Sequence, residues 1–177
     1  MAVLQRLRNF LIPSEPAEPY DVVPAEPTTY EIRSLTSDQL GEVLSLNARC
    51  FRNGENYTKH TFSYLLNEPK TLSFRAVTPT DEMVGFIFVM VNDAGAGHVT
   101  TIGVAPEHRR RGIGTKLLAR TESALKKRGF ATIVLEVRVS NTGAQELYRK
   151  LGYASVQRID DYYVNGEACY LMVKSLV

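Results

Sequence analysis

The sequence has little of what marks an exported, membrane-spanning or metal-binding protein. Only two of its 177 residues are cysteines, Cys50 and Cys169, and they show no metal-ligand spacing. The N-terminal segment "MAVLQRLRNFLIP" lacks the small-residue cleavage site of a signal peptide, and the longest apolar run, near "VGFIFVMV", is too short for a membrane span. We therefore expect a cytoplasmic protein with reduced thiols, no membrane partner and no bound metal.

Neither positive nor negative charge is present in large excess. With 21 Lys and Arg against 19 Asp and Glu, the net charge is only +2, which argues against nucleic acid as the main partner. An outside alternative is a basic nucleic-acid-binding module that uses Arg109 to Arg111. That alternative predicts salt-sensitive binding to DNA or RNA.

The length suits one domain with a sizeable core, preceded by an arm. Residues 13–28, "PSEPAEPYDVVPAEPT", are rich in proline and acidic residues, which predicts an extended linker rather than core. The sequence thus divides into an N-terminal arm, residues 1–28, and a domain, residues 29–177. A short amphipathic helix is predicted at the start of the arm, with its apolar stripe formed by Val3, Leu4, Leu7, Phe10 and Leu11.

From Tyr30 onward, strand and helix patterns alternate. The predicted order is β-α-α-β-β-β-α-β-α-β-β, ending in a hairpin that turns at Asn165-Gly166. This order predicts an α/β fold of the α+β type, a mixed sheet with helices packed on its faces.

One turn in this pattern carries an electrostatic conflict. In "PEHRRRGIGTKLL", Arg109, Arg110 and Arg111 stand at the start of a predicted helix, where the helix dipole is already positive. An anion would resolve the conflict, because the amides of a helix N-terminus bind phosphate and glycines allow close approach. The spacing matches neither "GxGxxG" nor "GxxxxGK[ST]", and a solvated basic patch stays the alternative.

The same turn resembles the acetyl-CoA loop of the GNAT acyltransferase superfamily, whose pattern is Arg/Gln-x-x-Gly-x-Gly/Ala. Arg109, Gly112 and Gly114 fill this pattern, and the resemblance runs from about Tyr30 to Val177. It implies the GNAT fold and acetyl-CoA as cosubstrate. The cofactor-binding residues that it implies are Ile102, Gly103 and Val104 for the pantetheine arm, and Arg109, Arg110, Arg111, Gly112, Ile113, Gly114 and Thr115 for the pyrophosphate.

Two further segments resemble the N-terminal acetyltransferases within that superfamily. "LEVRVSNTGAQELYRKLGY" is similar to the RimI-type ribosomal-protein-alanine N-acetyltransferases, and "ENYT" and "YYVNGEACYLM" resemble the archaeal and eukaryotic N-terminal acetyltransferase catalytic subunits. One departure is Asn165, where an aspartate is usual. The resemblance implies a protein or peptide N-terminus as acceptor, with a ribosomal protein as one possible class.

Glu136 and Tyr148 are the predicted catalytic residues. Glu136 stands in the mostly apolar strand "TIVLEVRV", where a carboxylate suits a general base, and the resemblance implies this role. Without it, Glu136 would be interpreted as the buried partner of Arg138 or of another arginine. Tyr148, otherwise a core aromatic, is implied as the acid that protonates the coenzyme A thiolate. Asn141 is predicted to cap the helix and, by resemblance, to contact the cofactor.

Tyr57, Tyr162 and Tyr163 are predicted to line the acceptor entrance, where rings and hydroxyls would grip the first residues of a peptide. Each tyrosine taken alone is typical of surface or core packing. His60, His98 and His108 form no metal pattern and are interpreted as structural. Cys169 alternates along a strand and is interpreted as packed, which disfavours an acyl-cysteine mechanism.

The sequence therefore predicts direct transfer of acetyl from acetyl-CoA to a protein's α-amine. An α-amine titrates near ~8 whereas a lysine amine titrates near ~10.4, so a modest base can deliver the neutral α-amine. The alternative is a lysine or small-amine acetyltransferase on the same fold.

Overall fold

The computed structural model describes residues 11–12, 22–51, 56–92 and 95–177. The predicted N-terminal amphipathic helix lies outside these residues, apart from Leu11. Leu11 belongs instead to a two-residue strand, β1 (Leu11–Ile12), which pairs antiparallel with β3 (Asn56–Tyr57).

The domain begins with a strand and two helices. Strand β2 (Glu31–Ser34) leads into a 3-10 turn, Ser37–Gln39, whose start is closed by the predicted capping box between Thr36 and Gln39. Two helices follow, α1 (Leu40–Cys50) and α2 (Lys59–Asn67).

The remaining elements follow the predicted order. They are β4 (Thr71–Val77), β5 (Met83–Val91), β6 (Ala96–Val104), α3 (Ile113–Lys127), β7 (Thr132–Arg138), α4 (Thr142–Lys150), β8 (Ala154–Ile159) and β9 (Cys169–Ser175). Helix α3 is followed by Gly129 at the predicted C′ position, with a φ of 80°. The predicted mixed α/β fold is confirmed.

A seven-stranded sheet has the order β2-β4-β5-β6-β7-β9-β8. Its neighbouring strands are antiparallel except for β6 and β7, which run parallel. The ladder between β6 and β7 stops at the pair His98–Val134. Next to this point a bulge leaves Thr100 as an extra residue in β6, because Val89 pairs with Val99 and Phe88 with Thr101. A bulge bends its strand, so the two strands separate toward their carboxyl ends.

Helices cover both faces of the sheet. A side chain at Gly85 would meet Ile113 and Leu117 of α3, whereas one at Gly103 would meet Phe86 and Cys50. Successive residues of a strand point to opposite faces, and Gly103 pairs with Phe86, next to Gly85. Helices α1 and α3 therefore lie on opposite faces, with the gap between β6 and β7 left open at one end.

The closing hairpin differs from its prediction. Strand β8 ends at Ile159 and β9 begins at Cys169, so the two are joined by a nine-residue loop, 160–168, rather than by a two-residue turn. The predicted turn at Asn165-Gly166 lies within this loop, where Gly166 has a φ of 80°. Among the described residues, no helix has the length and apolar character that crossing a membrane requires.

Candidate active site

The separation of β6 and β7 opens a cleft between their carboxyl-terminal halves. Seven residues that the sequence identifies as site residues line this cleft together: Tyr57, Ile102, Glu136, Asn141, Tyr148, Tyr162 and Tyr163. They come from three strands, one helix and two connecting segments, so the fold brings them together from distant parts of the chain.

Glu136 projects from β7 into the cleft and contacts a residue that the sequence does not single out. Its Oε2 atom lies 2.6 Å from Nε2 of His98 on the neighbouring strand β6. Both side chains are nearly buried, with exposed fractions of 11% and 10%. His98, interpreted from the sequence as structural, thus has a carboxylate partner inside the cleft, while Arg138 forms an ion pair with Glu167.

A proton must lie between these two atoms. A carboxylate oxygen and an unprotonated imidazole nitrogen are both acceptors, so they approach to 2.6 Å only when one of them carries hydrogen. The pair can hold this proton on His98 while Glu136 keeps a second oxygen, Oε1, to accept another. This arrangement suits proton abstraction inside the cleft.

Tyr148 lies on α4 and is 6% exposed. Burial raises the pKa of its hydroxyl to about 12, because a phenolate would lose its hydration. The side chain is therefore fully protonated at neutral pH and can act as a proton donor. Its ring packs against that of Tyr153 at a centroid distance of 5.7 Å.

Asn141 caps α4 as predicted, because its Oδ1 accepts a hydrogen bond from the amide of Ala144 at 3.1 Å.

The position of α4 depends in turn on Gly114 of α3. A side chain at Gly114 would come within 3.1 Å of Cδ2 of Leu147. Gly114 thus has a packing role that the sequence does not reveal, since it lets α3 lie close to the helix that carries Asn141 and Tyr148.

The turn before α3 has the backbone that its sequence suggests. Gly112 stands at the N-cap in the left-handed region, with φ 75°, and Arg110 is also left-handed, with φ 62°. Helix α3 starts at Ile113, whose side chain is buried in the core. The amides of its first turn, including those of Gly114 and Thr115, have no carbonyl partner within the helix, so the turn offers donors to an anion.

The three arginines of this turn have different surroundings. Arg109 donates from Nε to the carbonyl of Val104 at 3.2 Å and from Nη2 to the carbonyl of Cys50 at 3.3 Å. Arg111 donates to carbonyls near the start of the domain. Arg110 is exposed. Two of the three guanidinium groups therefore hold main chain, a role that the sequence does not distinguish from anion binding.

Strand β6 ends beside the cleft with Ile102, Gly103 and Val104. Among the described residues, its ladder partners beyond His98 lie on β5 alone, so the backbone groups on the edge that faces β7 have no strand partner. Gly103 is buried, and a side chain there would come within 2.7 Å of the Phe86 ring. Gly103 is thus required by core packing, whereas the open edge of the strand is available for an extended ligand.

Tyr57 forms one wall of the cleft. Its hydroxyl donates to the carbonyl of Thr100, the bulge residue, at 3.2 Å, and its ring packs edge-on against Phe62. The segment "ENYT" is described only from Asn56 onward, so Glu55 lies outside the described residues.

The opposite wall is the loop 160–168, which Arg138 organises. The guanidinium of Arg138 lies 3.7 Å from the centre of the Tyr163 ring and donates to Glu167 and to Oδ1 of Asn165. The Tyr163 ring packs edge-on against that of Tyr162, with centroids 5.0 Å apart.

Glu167 remains ionised in this loop. Burial acts to raise its pKa, but hydrogen bonds from Ser140 and the charge of Arg138 outweigh that effect and lower it. The ion pair is thus present at neutral pH, where it fixes the two tyrosines of the loop.

His108 and the cysteines lie away from this chemistry. His108 is buried, and one of its ring nitrogens lies within 4.8 Å of carboxylate oxygens of Glu82 and Glu107. Glu107 forms an ion pair with Arg49, and Nδ1 of His108 is 3.0 Å from the hydroxyl of Tyr30, so these groups already have protein partners.

Burial raises the pKa of the Cys50 thiol to about 11, which makes it a poor nucleophile.

Comparison with known proteins shows the family to which the chain belongs. The model of the acetyltransferase (GNAT) family matches residues 40–153. The chain belongs to the GNAT acetyltransferase family, which confirms the family identified from the sequence.

Curated relatives of this chain include proteins named N-alpha-acetyltransferase. An N-alpha-acetyltransferase of Sulfurisphaera tokodaii is 34% identical over 159 residues, which cover 83% of this chain and 93% of the relative. An N-alpha-acetyltransferase of Caenorhabditis elegans is 34% identical over 152 residues, which cover 82% of each chain. These names agree with the function predicted from the sequence.

Solved structures show the same fold. The ribosomal-protein-S18-alanine N-acetyltransferase from Escherichia coli superposes with a TM-score of 0.76 at 28% identity, covering 84% of this chain and 94% of its own. Arabidopsis thaliana NAA60 in complex with acetyl-CoA superposes with a TM-score of 0.74 at 21% identity, covering 83% and 98%.

Proposed function

We propose that this N-acetyltransferase transfers the acetyl group of acetyl-CoA to the N-terminal α-amine of a protein or peptide. The observation that carries the proposal is the cleft itself, in which the buried Glu136–His98 pair and the protonated Tyr148 stand between two tyrosine-lined walls. Relatives named N-alpha-acetyltransferase support the choice of acceptor.

The residues present fit acetyl-CoA. The turn from Arg109 to Thr115 offers helix N-terminal amides and positive charge for the pyrophosphate, and the open edge of Ile102 to Val104 offers backbone groups for the pantetheine arm. Beside that edge, Oγ1 of Thr100 is buried without a hydrogen-bond partner among the described residues. A buried hydroxyl of this kind favours a site completed by a ligand.

When bound, acetyl-CoA supplies an activated thioester. The α-amine nitrogen forms a bond to the acetyl carbon, and the bond from that carbon to sulfur breaks. In the proposed reaction Glu136 accepts the amine proton, directly or through a water, with His98 holding the carboxylate in place. Tyr148 donates a proton to the departing thiolate and is restored from solvent.

The two tyrosine walls favour a peptide end over a lysine side chain. Tyr57 on one side, and Tyr162 and Tyr163 on the other, offer rings and hydroxyls at the mouth of the cleft where the first residues of a peptide would lie. We include ribosomal proteins among the acceptor classes, by analogy with the Escherichia coli enzyme, and place the reaction in the cytoplasm.

The experiment that tests this function uses the full chain, acetyl-CoA and a library of peptides that differ in their first two residues, with mass spectrometry as readout. Acetylation confined to α-amines, with a preference among first residues, is the expected result. Transfer to polyamines or lysine side chains with no transfer to peptide N-termini would replace the proposal with the small-amine alternative.

A further inference from the structure

A proline-rich segment from the end of the arm packs against the Arg109–Thr115 turn. Most side chains from Val22 to Thr29 are exposed, and Ala25 is the partly buried exception. Pro24 and Pro27 lie within this stretch, on either side of Ala25 and Glu26. Proline favours extended backbone whose carbonyls lack partners within the segment, so these carbonyls are available to donors elsewhere.

Arg111 supplies those donors. Its Nη1 atom donates to the carbonyl of Glu26 at 2.7 Å and to the hydroxyl of Tyr30 at 3.2 Å, and its Nη2 atom donates to the carbonyl of Ala25. The planar guanidinium reaches all three oxygens at once, which a lysine ammonium on a flexible stem cannot reproduce.

Three more contacts join the segment to both sides of the turn. The amide of Ala25 donates to the carbonyl of Glu107 at 3.0 Å, and the Tyr30 hydroxyl lies 3.0 Å from Nδ1 of His108. Past the turn, Nζ of Lys116 donates to the carbonyl of Tyr30 at 3.3 Å. The segment is thus attached to the residues before, within and after the turn.

From these contacts we infer that residues 25–30 are a working part of the acetyl-CoA site, and that Arg111 is a positioning residue rather than a phosphate ligand. The inference depends on the proposed cofactor role of the turn. Arg110 and Gly112 have left-handed backbone, which an unsupported turn populates only in part. Fixing this conformation raises the fraction of molecules able to bind, and apparent affinity follows that fraction. These residues precede the part of the chain that matches the family model, 40–153.

The test compares five variants of the full chain by calorimetry with acetyl-CoA, at low salt and at about 0.5 M sodium chloride, where exposed charges are screened. Arg111→Met and Tyr30→Phe, made singly and together as a double variant, remove the tether, and Arg111→Lys keeps the charge. Arg128→Met is the control, because it removes one exposed charge at the other end of α3. Melting temperatures are measured alongside.

We expect Arg111→Met to weaken acetyl-CoA binding about 10-fold at both salt concentrations, which is the scale of losing hydrogen bonds to a charged group. Arg111→Lys should fail to restore affinity, and Tyr30→Phe should weaken binding in the same direction. The loss in the double variant should be smaller than the sum of the two single losses, because both remove one tether. The KM for acetyl-CoA should rise while kcat and the peptide KM stay unchanged.

Two results would overturn the inference. Rescue by Arg111→Lys, together with a loss that disappears at high salt, would make Arg111 a direct phosphate ligand. Unchanged acetyl-CoA affinity in folded Arg111→Met would make the contact purely structural. If the unaltered protein and the control variant both fail to bind acetyl-CoA, the proposed function itself is wrong. Failure of the inference alone differs from this, because the unaltered protein and the control then bind acetyl-CoA normally.

Discussion

Oε2 of Glu136 and Nε2 of His98 lie 2.6 Å apart, at the point where the parallel strands β6 and β7 part. Both residues line the cleft and are almost closed to solvent. Their contact shares one proton and leaves Glu136 with capacity for another, so the pair is the center of the proposed chemistry.

Glu136→Gln is expected to lower kcat by about 10²-fold, which is typical for loss of a general base. The amide keeps the shape of the side chain, so acetyl-CoA affinity measured by calorimetry should be unchanged. His98→Gln should lower kcat in the same direction but by less, since His98 acts through the carboxylate. Adding the second substitution to the first should cost little more, because the residues act as a unit. Normal turnover in Glu136→Gln would exclude this carboxylate as the base.

Tyr148→Phe is expected to lower kcat by about 10²-fold through loss of the proton donor. The matched control is Tyr153→Phe, whose hydroxyl donates to Glu122 at 3.0 Å outside the cleft. That control should lose stability, by about 1 kcal/mol for one hydrogen bond, and keep its kcat. Turnover and thermal unfolding of both variants separate the two roles. Equal loss of kcat in both would assign the effect to packing instead.

Arg138→Met is expected to raise the peptide KM about 10-fold, because it releases the loop that carries Tyr162 and Tyr163 from charge-assisted hydrogen bonds. Tyr163→Ala should raise the same KM and weaken discrimination between first residues, with acetyl-CoA binding intact. Arg128→Met, which removes an exposed arginine at the end of α3 and away from the loop, is the control. Steady-state kinetics at saturating acetyl-CoA provide the readout, and an unchanged peptide KM in Arg138→Met would remove the loop from the acceptor site.

His108 is expected to lower the free energy of unfolding in mild acid. Burial lowers the pKa of this imidazole from its ordinary value of 6.5; Glu82 opposes the shift, while the nearby Arg111 and Arg49 assist it. Because the folded-state pKa is the lower one, the unfolded chain binds more protons below about pH 6.5, and the free energy of unfolding decreases as the pH falls through that range. Urea unfolding at about pH 7.5 and about pH 5.5 should show a smaller difference for His108→Gln than for the unaltered chain. An equal difference would assign the acid sensitivity to other groups.

Periodicity and motif spacing predict much of this molecule. Apart from the two-residue strand β3, the order of strands and helices from Glu31 to Ser175 follows from apolar alternation, apolar runs and helical stripes. The meeting of Glu136 and Tyr148 in one cleft is implied by the family resemblance and agrees with the geometry.

What the sequence does not reveal are contacts set by register and by the connections. His98 meets Glu136 only because β6 and β7 run parallel and their ladder stops at the pair His98–Val134, two residues before Glu136. The partner of Gly114 is Leu147 on another helix, and the partners of Arg111 are carbonyls 85 positions or more away in the chain. Main-chain partners of this kind leave no pattern in residue types. The sequence predicts a two-residue turn where the structure has the loop 160–168. Nothing in the residue types of this segment indicates that Arg138 contacts it.

The central claim is that the cleft acetylates the α-amine of a peptide end. Its most direct test is a pair of peptides of identical sequence with one internal lysine, one with a free α-amine and one with that amine blocked. Both are incubated with acetyl-CoA and the full chain, with Glu136→Gln as the inactive control, and the site of acetylation is located by tandem mass spectrometry. We predict acetylation of the free α-amine alone and no product from the blocked peptide. Efficient acetylation of the lysine in the blocked peptide would contradict the claim.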